Sequence, residues 1–473
     1  MQIKLLVLGS IAITGIFIMN LFLFSDQQIL NIQKVNAQYS QDNNNSNNNS
    51  INNNDKKINF TKSFNLTNNT RDSVYPRVSA FGNNVYVVWQ ESVPPNGSSK
   101  LKVNSNNISS SNSSLKNEPN YDIFIRKSND GGDTFGKEIN LSNNSGFSEH
   151  PHLAVYGNNV YTIWIDNNIT TSKNKEVFFR KSNDGGKTFS NIINLDKYNM
   201  FNNNNKSDDS FGNSINAEIS AFENNVYVVW NKEPQSQVNY SDNKNKILFR
   251  TSDDGGSTFK NTKTLSNNVS SLTYPKITAS PSTNNISKNV YVIWNVGLPN
   301  KDLYRNSDGI FFIKSEDNGD NFSNLIKING PIKSIGKPQI ISYKNNIHVV
   351  WSGIPDFRIN NNLFYTKSNN NGHSFTNPIS IDNDKSLAVE VSANKDNLYI
   401  SWEKIVSESN DDIFIRLSNN EGQNFTKDII NLSNNHGISE CPSIALLENK
   451  AFFVWEDSSP GNHDIFFMKT LIT

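Results

Sequence analysis

All seven tryptophans of the chain close one recurring phrase, and this repetition limits the available folds more than any other feature. Its fullest copies read Asn84-Val85-Tyr86-Val87-Val88-Trp89, Asn159-Val160-Tyr161-Thr162-Ile163-Trp164 and Asn225-Val226-Tyr227-Val228-Val229-Trp230. It returns at residues 290–294, 347–351, 398–402 and 451–455, with Trp spacings of 75, 66, 64, 57, 51 and 53 residues. Each copy is short, β-branched and aromatic, with no helical period, so each is a strand. A strand precedes it, often opened by a proline (Pro76, Pro151, Pro275, Pro442), which a first strand position tolerates. A third strand follows, as in Asp122-Ile123-Phe124-Ile125-Arg126 and Asp412-Ile413-Phe414-Ile415-Arg416. In most repeats a fourth comes after that, as in Glu138-Ile139-Asn140-Leu141-Ser142. Four antiparallel strands recurring at this period specify an all-β fold, a β-propeller of four-stranded blades.

Between the third and fourth strands lies Ser128-Asn129-Asp130-Gly131-Gly132-Asp133-Thr134-Phe135, repeated at residues 182–189 and 252–259. Looser copies occupy 315–322, 368–375 and 418–425. The pattern Ser-x-Asp-x-Gly-x-Thr-Phe resembles the Asp box, or BNR repeat, of the sialidase superfamily, and the resemblance covers residues 58–469. Ser and Asp side chains hold a tight turn by bonding nearby backbone, and Gly supplies positive φ. The terminal aromatic, Phe135 or Phe189, is expected to enter the blade core. Asn370 and Asn420 replace the Asp in two looser copies, which suits a turn and not a catalytic carboxylate. A calcium loop on Asp130 and Asp133 is the competing reading, disfavoured because the acidic ligands are few and decay between copies.

The last repeat stops after its third strand. Residues 58–69 (Ile58-Asn59-Phe60-Thr61-Lys62-Ser63-Phe64-Asn65-Leu66-Thr67-Asn68-Asn69) match the stretch that follows the first box, Thr134 to Asn144, almost position for position. The N-terminal strand is therefore expected to complete the last blade and close a seven-bladed ring over residues 58–473, leaving no open edge.

Ahead of the ring, Lys4, an apolar run over residues 5–24 and Val35-Asn36-Ala37 read as a signal peptide, residues 1–37, with an uncleaved anchor as the rival. Residues 38–57 are an Asn-rich stretch too polar to order, hence a disordered spacer. These features place the ring in a secreted or surface-tethered context, on the extracellular face of the cell membrane if anchored. Sequons at Asn44, Asn48, Asn65, Asn96 and Asn107 are chance-level pointers to a glycoprotein. With 44 Lys+Arg against 44 Asp+Glu, the chain lacks the broad basic surface of a nucleic-acid binder. A single cysteine, Cys441, excludes an internal disulfide and a Cys-based zinc site. Aromatics at 11% say that a core packs despite only 35% hydrophobic residues.

Function is expected on the variable loops after the Trp strands or in the central channel. Several of those loops begin acidic, at Glu91, Asp166, Glu233, Glu403, Glu456 and Asp457, which reads as a solvated rim in preference to a cation or sugar site. The first strand of each blade should line the channel. Its aligned polar position, Arg77, His152, Glu218, Lys276, Gln339, Glu390 and Ser443, is the candidate ligand-binding ring. His150 and His152 flank Pro151 and could form half a metal site, but are read as surface residues. No metal or cofactor is expected.

The resemblance implies a test for sialidase chemistry: an arginine cluster, a Tyr–Glu nucleophile pair and an Asp acid/base. Arg126, Arg180, Arg250 and Arg416 share one third-strand position and belong to the repeat, which leaves Arg71, Arg77, Arg305 and Arg358. The conceivable catalytic set is Arg77, Arg305 and Arg358 with Asp302, Asp356, Tyr304 and Tyr365. The family's first arginine sits in Arg-Ile-Pro, whereas here Pro76 precedes Arg77, and the sialidase ring has six blades. The favoured reading is thus a monomeric binding or scaffold module for an extracellular glycan or protein, with no nucleic-acid partner and membrane contact only through the anchor. A sialidase-like glycoside hydrolase and a structural envelope component are the alternatives.

Overall fold

The computed structural model describes residues 50–53, 56–94, 120–167, 174–197, 211–234, 245–269, 273–281, 288–297, 307–334, 336–354, 362–448 and 450–472. Contacts divide the chain after Ser50, and the unit from Ile51 to Thr473 is the one described below. The expected signal peptide and most of the spacer lie outside the described residues.

The described chain is a seven-bladed β-propeller of four-stranded antiparallel sheets. Blade one runs Ser73–Phe81, Asn84–Val93, Asn120–Ser128 and Ile139–Asn140, each strand paired with the next. The same order recurs through blade six, Ser386–Ala393, Leu398–Ser407, Asn410–Ser418 and Ile430–Asn431. Blades four and five are further joined by Lys333–Ser334, which pairs with Ser307 on one side and with Gly353 and Ile354 on the other. In most blades the fourth strand is only two residues long, an edge too short to template aggregation.

Blade seven has three strands from the C-terminus, Ser439–Leu447, Lys450–Asp457 and Asp464–Ile472. Phe64–Asn65 supplies its fourth, and Lys56–Phe60 extends the pairing over Ile58 to Phe60. The closure repeats blade-one chemistry atom for atom. Asn140 and Ser142 donate to Asp122 at 2.7 and 2.9 Å, while Asn65 and Thr67 donate to Asp464 at 2.7 Å each. The Asn65 sequon is thereby spent on the seam.

All seven indoles are buried at 1% exposure or less, and Trp89, Trp164, Trp351, Trp402 and Trp455 stack on the third-strand Phe124, Phe178, Phe364, Phe414 and Phe466. The Ser-x-Asp turns fasten one blade to the one before. Within the turn, Asp130 accepts from Ser128 Oγ at 2.6 Å and from the Asp133 and Thr134 amides, and these bonds hold its carboxyl well below the usual range. Gly132 takes φ 83°, and a Cβ there would lie 2.7 Å from the Phe467 ring of the preceding blade. Phe135 enters a core shared between blade one and the preceding blade. It packs edge-on against Phe467 at 4.9 Å, as Phe259 does on Phe179 and Phe322 on Phe249. The repeated arginines cross the same boundary: Arg180 and Arg416 donate to the Leu141 and Ile381 carbonyls of the preceding blades at 2.7 and 2.6 Å.

The structure moves the prolines. Strands begin at Ser73, Ser148 and Ser439, so Pro76, Pro151 and Pro442 stand fourth, not first. Each sits in a β-bulge, where the register jumps from Val74/Gln90 to Arg77/Val88, from Glu149/Ile165 to His152/Ile163, and from Glu440/Glu456 to Ser443/Val454. A bulge leaves a residue out of the ladder, so the missing proline N–H costs no bond. Blades three and six carry the same bulge without proline, and in all five the bulge lies opposite the tryptophan.

Candidate functional site

The acidic residues after the tryptophans are not a solvated rim. Glu91, Asp166 and Asp457 are at most 1% exposed and accept the indole N–H of Trp89, Trp164 and Trp455 at 2.7, 3.2 and 3.0 Å. Ser73, Ser148 and Ser439 at the heads of the first strands donate to the same carboxylates. In blades three and six a lysine stands there instead, and the acid moves to the preceding blade, giving Lys232–Asp196 at 3.0 Å and Lys404–Asp382 at 3.2 Å. A buried carboxylate is stable only when so paired or hydrogen-bonded, and these are. Arg71 is likewise occupied, paired with Glu91 and, at 3.0 Å, with Glu138.

Six of the seven aligned channel positions come together as two linked triads. His152 Nδ1 lies 2.9 Å from Glu218, and Glu218 pairs with Lys276. Gln339 donates to Glu390 at 2.9 Å, and Glu390 lies 4.0 Å from the Arg77 guanidinium. Ser443 is the exception: its hydroxyl accepts the Val78 amide, an inter-blade bond. Against the penalty of burial, His152 and Lys276 hold the Glu218 carboxyl well below its ordinary range. Burial pushes His152 down to about 4, so its imidazole is neutral at pH 7.

A second ring stands two residues ahead of the first: Tyr75, His150, Asn216, Tyr274, Lys337, Ala388 and Cys441. Five of these seven are non-glycine residues at positive φ, between 21° and 54°, in the bulges. Strain of this kind concentrates where side chains are aimed for a purpose. Tyr75 and His150 lie ring to ring at 4.5 Å, and the Lys337 ammonium sits 5.1 Å from the Tyr274 ring. Burial lowers His150 to about 3, with Lys337, His152 and Arg77 adding to it. Lys337 reaches solvent through the channel mouth, while the surrounding wall of protein, then Lys276 and Arg77, pulls its pKa down.

The charges at this mouth are unevenly matched. Arg77 Nε is buried without a partner, its Nη1 bonds its own Pro76 carbonyl, and its nearest carboxylate is the 4.0 Å contact with Glu390. Lys337 has no carboxylate at ion-pair distance among the described residues. On the side of blades six and seven, the Glu403, Asp411 and Glu440 carboxylates have oxygens within 4.8 Å of one another. An all-oxygen set suits a hard cation, and shared protons relieve the same repulsion. Glu456 stands beside them, its Oε2 accepting the Tyr75 amide at 2.6 Å. Burial first, then Glu440 and Asp411, pushes Glu403 up to about 8. Burial, reinforced by Glu440, pushes Glu456 up to about 7.

Of the conceivable sialidase set, Arg77 is at the channel mouth, whereas Tyr365 lies in the core, its hydroxyl 2.8 Å from His348 Nδ1 and its ring against Phe425. Arg305, Arg358, Asp302, Asp356 and Tyr304 lie outside the described residues.

No protein family matches the chain, and neither does any curated protein. Among solved structures, the polysaccharide lyase Uly1 superposes with a TM-score of 0.50 at 9% identity, over 84% of this chain and 89% of that one. A protein of unknown function from Dyadobacter fermentans DSM 18053 gives 0.48 at 13% identity, over 70% of this chain and 96% of that one. Trypanosoma rangeli sialidase gives 0.42 at 11% identity; 70% of this chain matches 55% of that one, so the chain spans about half the sialidase's length. The likeness is one of fold.

Proposed function

We propose that the protein is an extracellular or surface-tethered binding module that holds an acidic group of a polysaccharide at the mouth of its propeller channel. The observation that carries this reading is the pair of cations, Arg77 and Lys337, that face the mouth without a close carboxylate while the neighbouring Lys276 is paired. A guanidinium with a buried, unpartnered N–H is costly to leave so, and an incoming carboxylate or sulfate would complete it. Lys337 adds a second charge, and the Tyr75 and His150 rings offer an apolar face beside it. The polysaccharide is chosen over a protein because the chain shares its fold with the lyase Uly1.

An array of uronate-bearing, sulfated, sialylated and neutral polysaccharides tests it. The expected result is retention on acidic members only, with Arg77→Ala and Lys337→Ala each weakening it at least about tenfold, the loss of one charge-assisted bond. Equal retention on neutral members, or no effect of either substitution, would overturn the proposal.

A further inference from the structure

The seam between blades one and two holds a cavity of about 150 Å³, lined by Tyr86, Arg126, Lys127, Gly136, Lys137 and Gly186. The other blades show what fills this place. In blade two the residue after the phenylalanine that ends the turn is Ser190, and it satisfies two third-strand donors at once. Its carbonyl accepts Arg180 Nε at 2.6 Å and its hydroxyl accepts the Lys181 amide at 3.2 Å. Thr426 does the same in blade six, for Arg416 Nε at 2.7 Å and the Leu417 amide at 3.4 Å. Ser323, Thr376 and Thr61 offer the hydroxyl in blades four, five and seven. Blade one has Gly136 here, so the Lys127 amide lacks that hydroxyl, and Arg126 Nε is buried without a partner. A buried donor left unmade is costly, which favours an acceptor in the space.

The lysine ammonium at the same place is also uncommitted. Lys181, Lys314, Lys367 and Lys469, which stand where Lys127 does, each bond an oxygen. Their acceptors are the Gly255 carbonyl at 2.8 Å, Glu316 at 2.7 Å, the Glu421 carbonyl at 3.2 Å and the Gly131 carbonyl at 2.9 Å. In blade one the Tyr86 hydroxyl takes the corresponding Gly185 carbonyl, at 3.2 Å. The Lys127 ammonium lies 5.6 Å from the centre of the Tyr86 ring, with no ion pair or hydrogen bond among the described residues. The nearby carboxylates are engaged elsewhere. Asp184 is bonded within its own turn to Ser182, Lys187 and Thr188, and Glu138 to Arg71.

We propose that this cavity binds a small oxyanion, a sulfate or phosphate group, in the space that a serine or threonine hydroxyl fills in five other blades. Its oxygens accept from the Lys127 amide and ammonium and from Arg126 Nε, and Lys137 adds a further positive charge at the wall. Such charge-assisted bonds are the strong ones. The volume is well below the roughly 300–1,000 Å³ of a site for a drug-sized molecule, so one ion or one acid group enters and a whole sugar ring does not. The site is separate from the channel mouth and stands without the reading proposed for it.

Titration calorimetry of inorganic sulfate and of inorganic phosphate into the Arg77→Ala/Lys337→Ala protein, with chloride holding the ionic strength constant, reads this cavity without the mouth. Saturable binding of one ion is expected. Gly136→Ser on that background restores the hydroxyl and should abolish it. A Cβ at residue 136 would meet the Lys127 carbonyl at 3.5 Å, an ordinary contact, so the serine is accommodated and the melting temperature should not fall. Lys127→Met keeps the stem beside Tyr86 and removes the charge, and should weaken the ion at least about tenfold. A sulfated disaccharide separates the two sources of the group. Tighter binding than free sulfate assigns the site to a sulfate carried on a glycan, and equal or weaker binding assigns it to the free ion. No saturable binding, or the same affinity in Gly136→Ser, overturns the proposal and leaves the cavity to water. Should Gly136→Ser fail to fold, an unchanged affinity in Lys127→Met overturns it equally.

Discussion

A chain lacking residues 58–69 is expected to aggregate or to melt far below the full-length protein. That segment gives blade seven its fourth strand, and its loss strips the third strand of its partners on the outer edge at Phe466 and Phe467. It also removes Leu66, 3% exposed, and Ile58, 6% exposed, from two separate cores, and Phe64 from its place on Phe467. Burying an aliphatic side chain contributes roughly 1.5–3 kcal/mol, so two of them with the aromatic make the loss about 5 kcal/mol or more. Asp464 would then be buried without Asn65 and Thr67, and Arg126 would lose the Leu66 carbonyl. Sedimentation and thermal melting of the truncated chain check this. A monomer with an unchanged melting temperature would show that the ring does not depend on its N-terminal strand.

Asp457→Ala is expected to destabilise the protein by about 3–5 kcal/mol, more than any surface acid would. Its carboxylate, fully buried, accepts from Trp455 Nε1, Ser439 Oγ, Asn435 Nδ2 and the Ser459 amide at 3.0, 3.0, 2.6 and 2.9 Å. Alanine leaves four donors dry at the junction of strand and loop. Asp457→Asn, which keeps one acceptor oxygen, should fall between alanine and wild type in urea unfolding. A change below about 0.5 kcal/mol for alanine would restore the solvated-rim reading.

The strands, the turns and the ring closure are legible in the sequence because each repeats: seven Trp phrases in phase with six turns, four Ser-x-Asp and two Ser-x-Asn, and residues 58–69 copying the stretch after the first turn. The channel ring is legible for the same reason, since side chains alternate along a strand and the aligned position fixes the inward face. What failed was whatever depends on partners far apart in sequence. Nothing local says that Asp457 is dry; its Ser439 and Asn435 donors are, however, repeated as Ser148 and Asn144 around Asp166, and that correlation was available. The prolines misled because a bulge and a strand start both excuse a missing N–H. Lys337 is legible on the same ground: it precedes Pro338 as Tyr75, His150, Tyr274 and Cys441 precede their prolines, two residues ahead of the channel position Gln339.

The central claim is that the channel mouth holds its ligand without converting it. The most direct measurement incubates the tightest acidic polysaccharide from the array, and in parallel a fluorogenic sialoside, with a stoichiometric amount of protein, followed by mass spectrometry of both. The polysaccharide is expected to return at its original length, with no sialic acid released. Shortened or unsaturated chains, or free sialic acid lost in Arg77→Ala, would contradict it and make the mouth an active site.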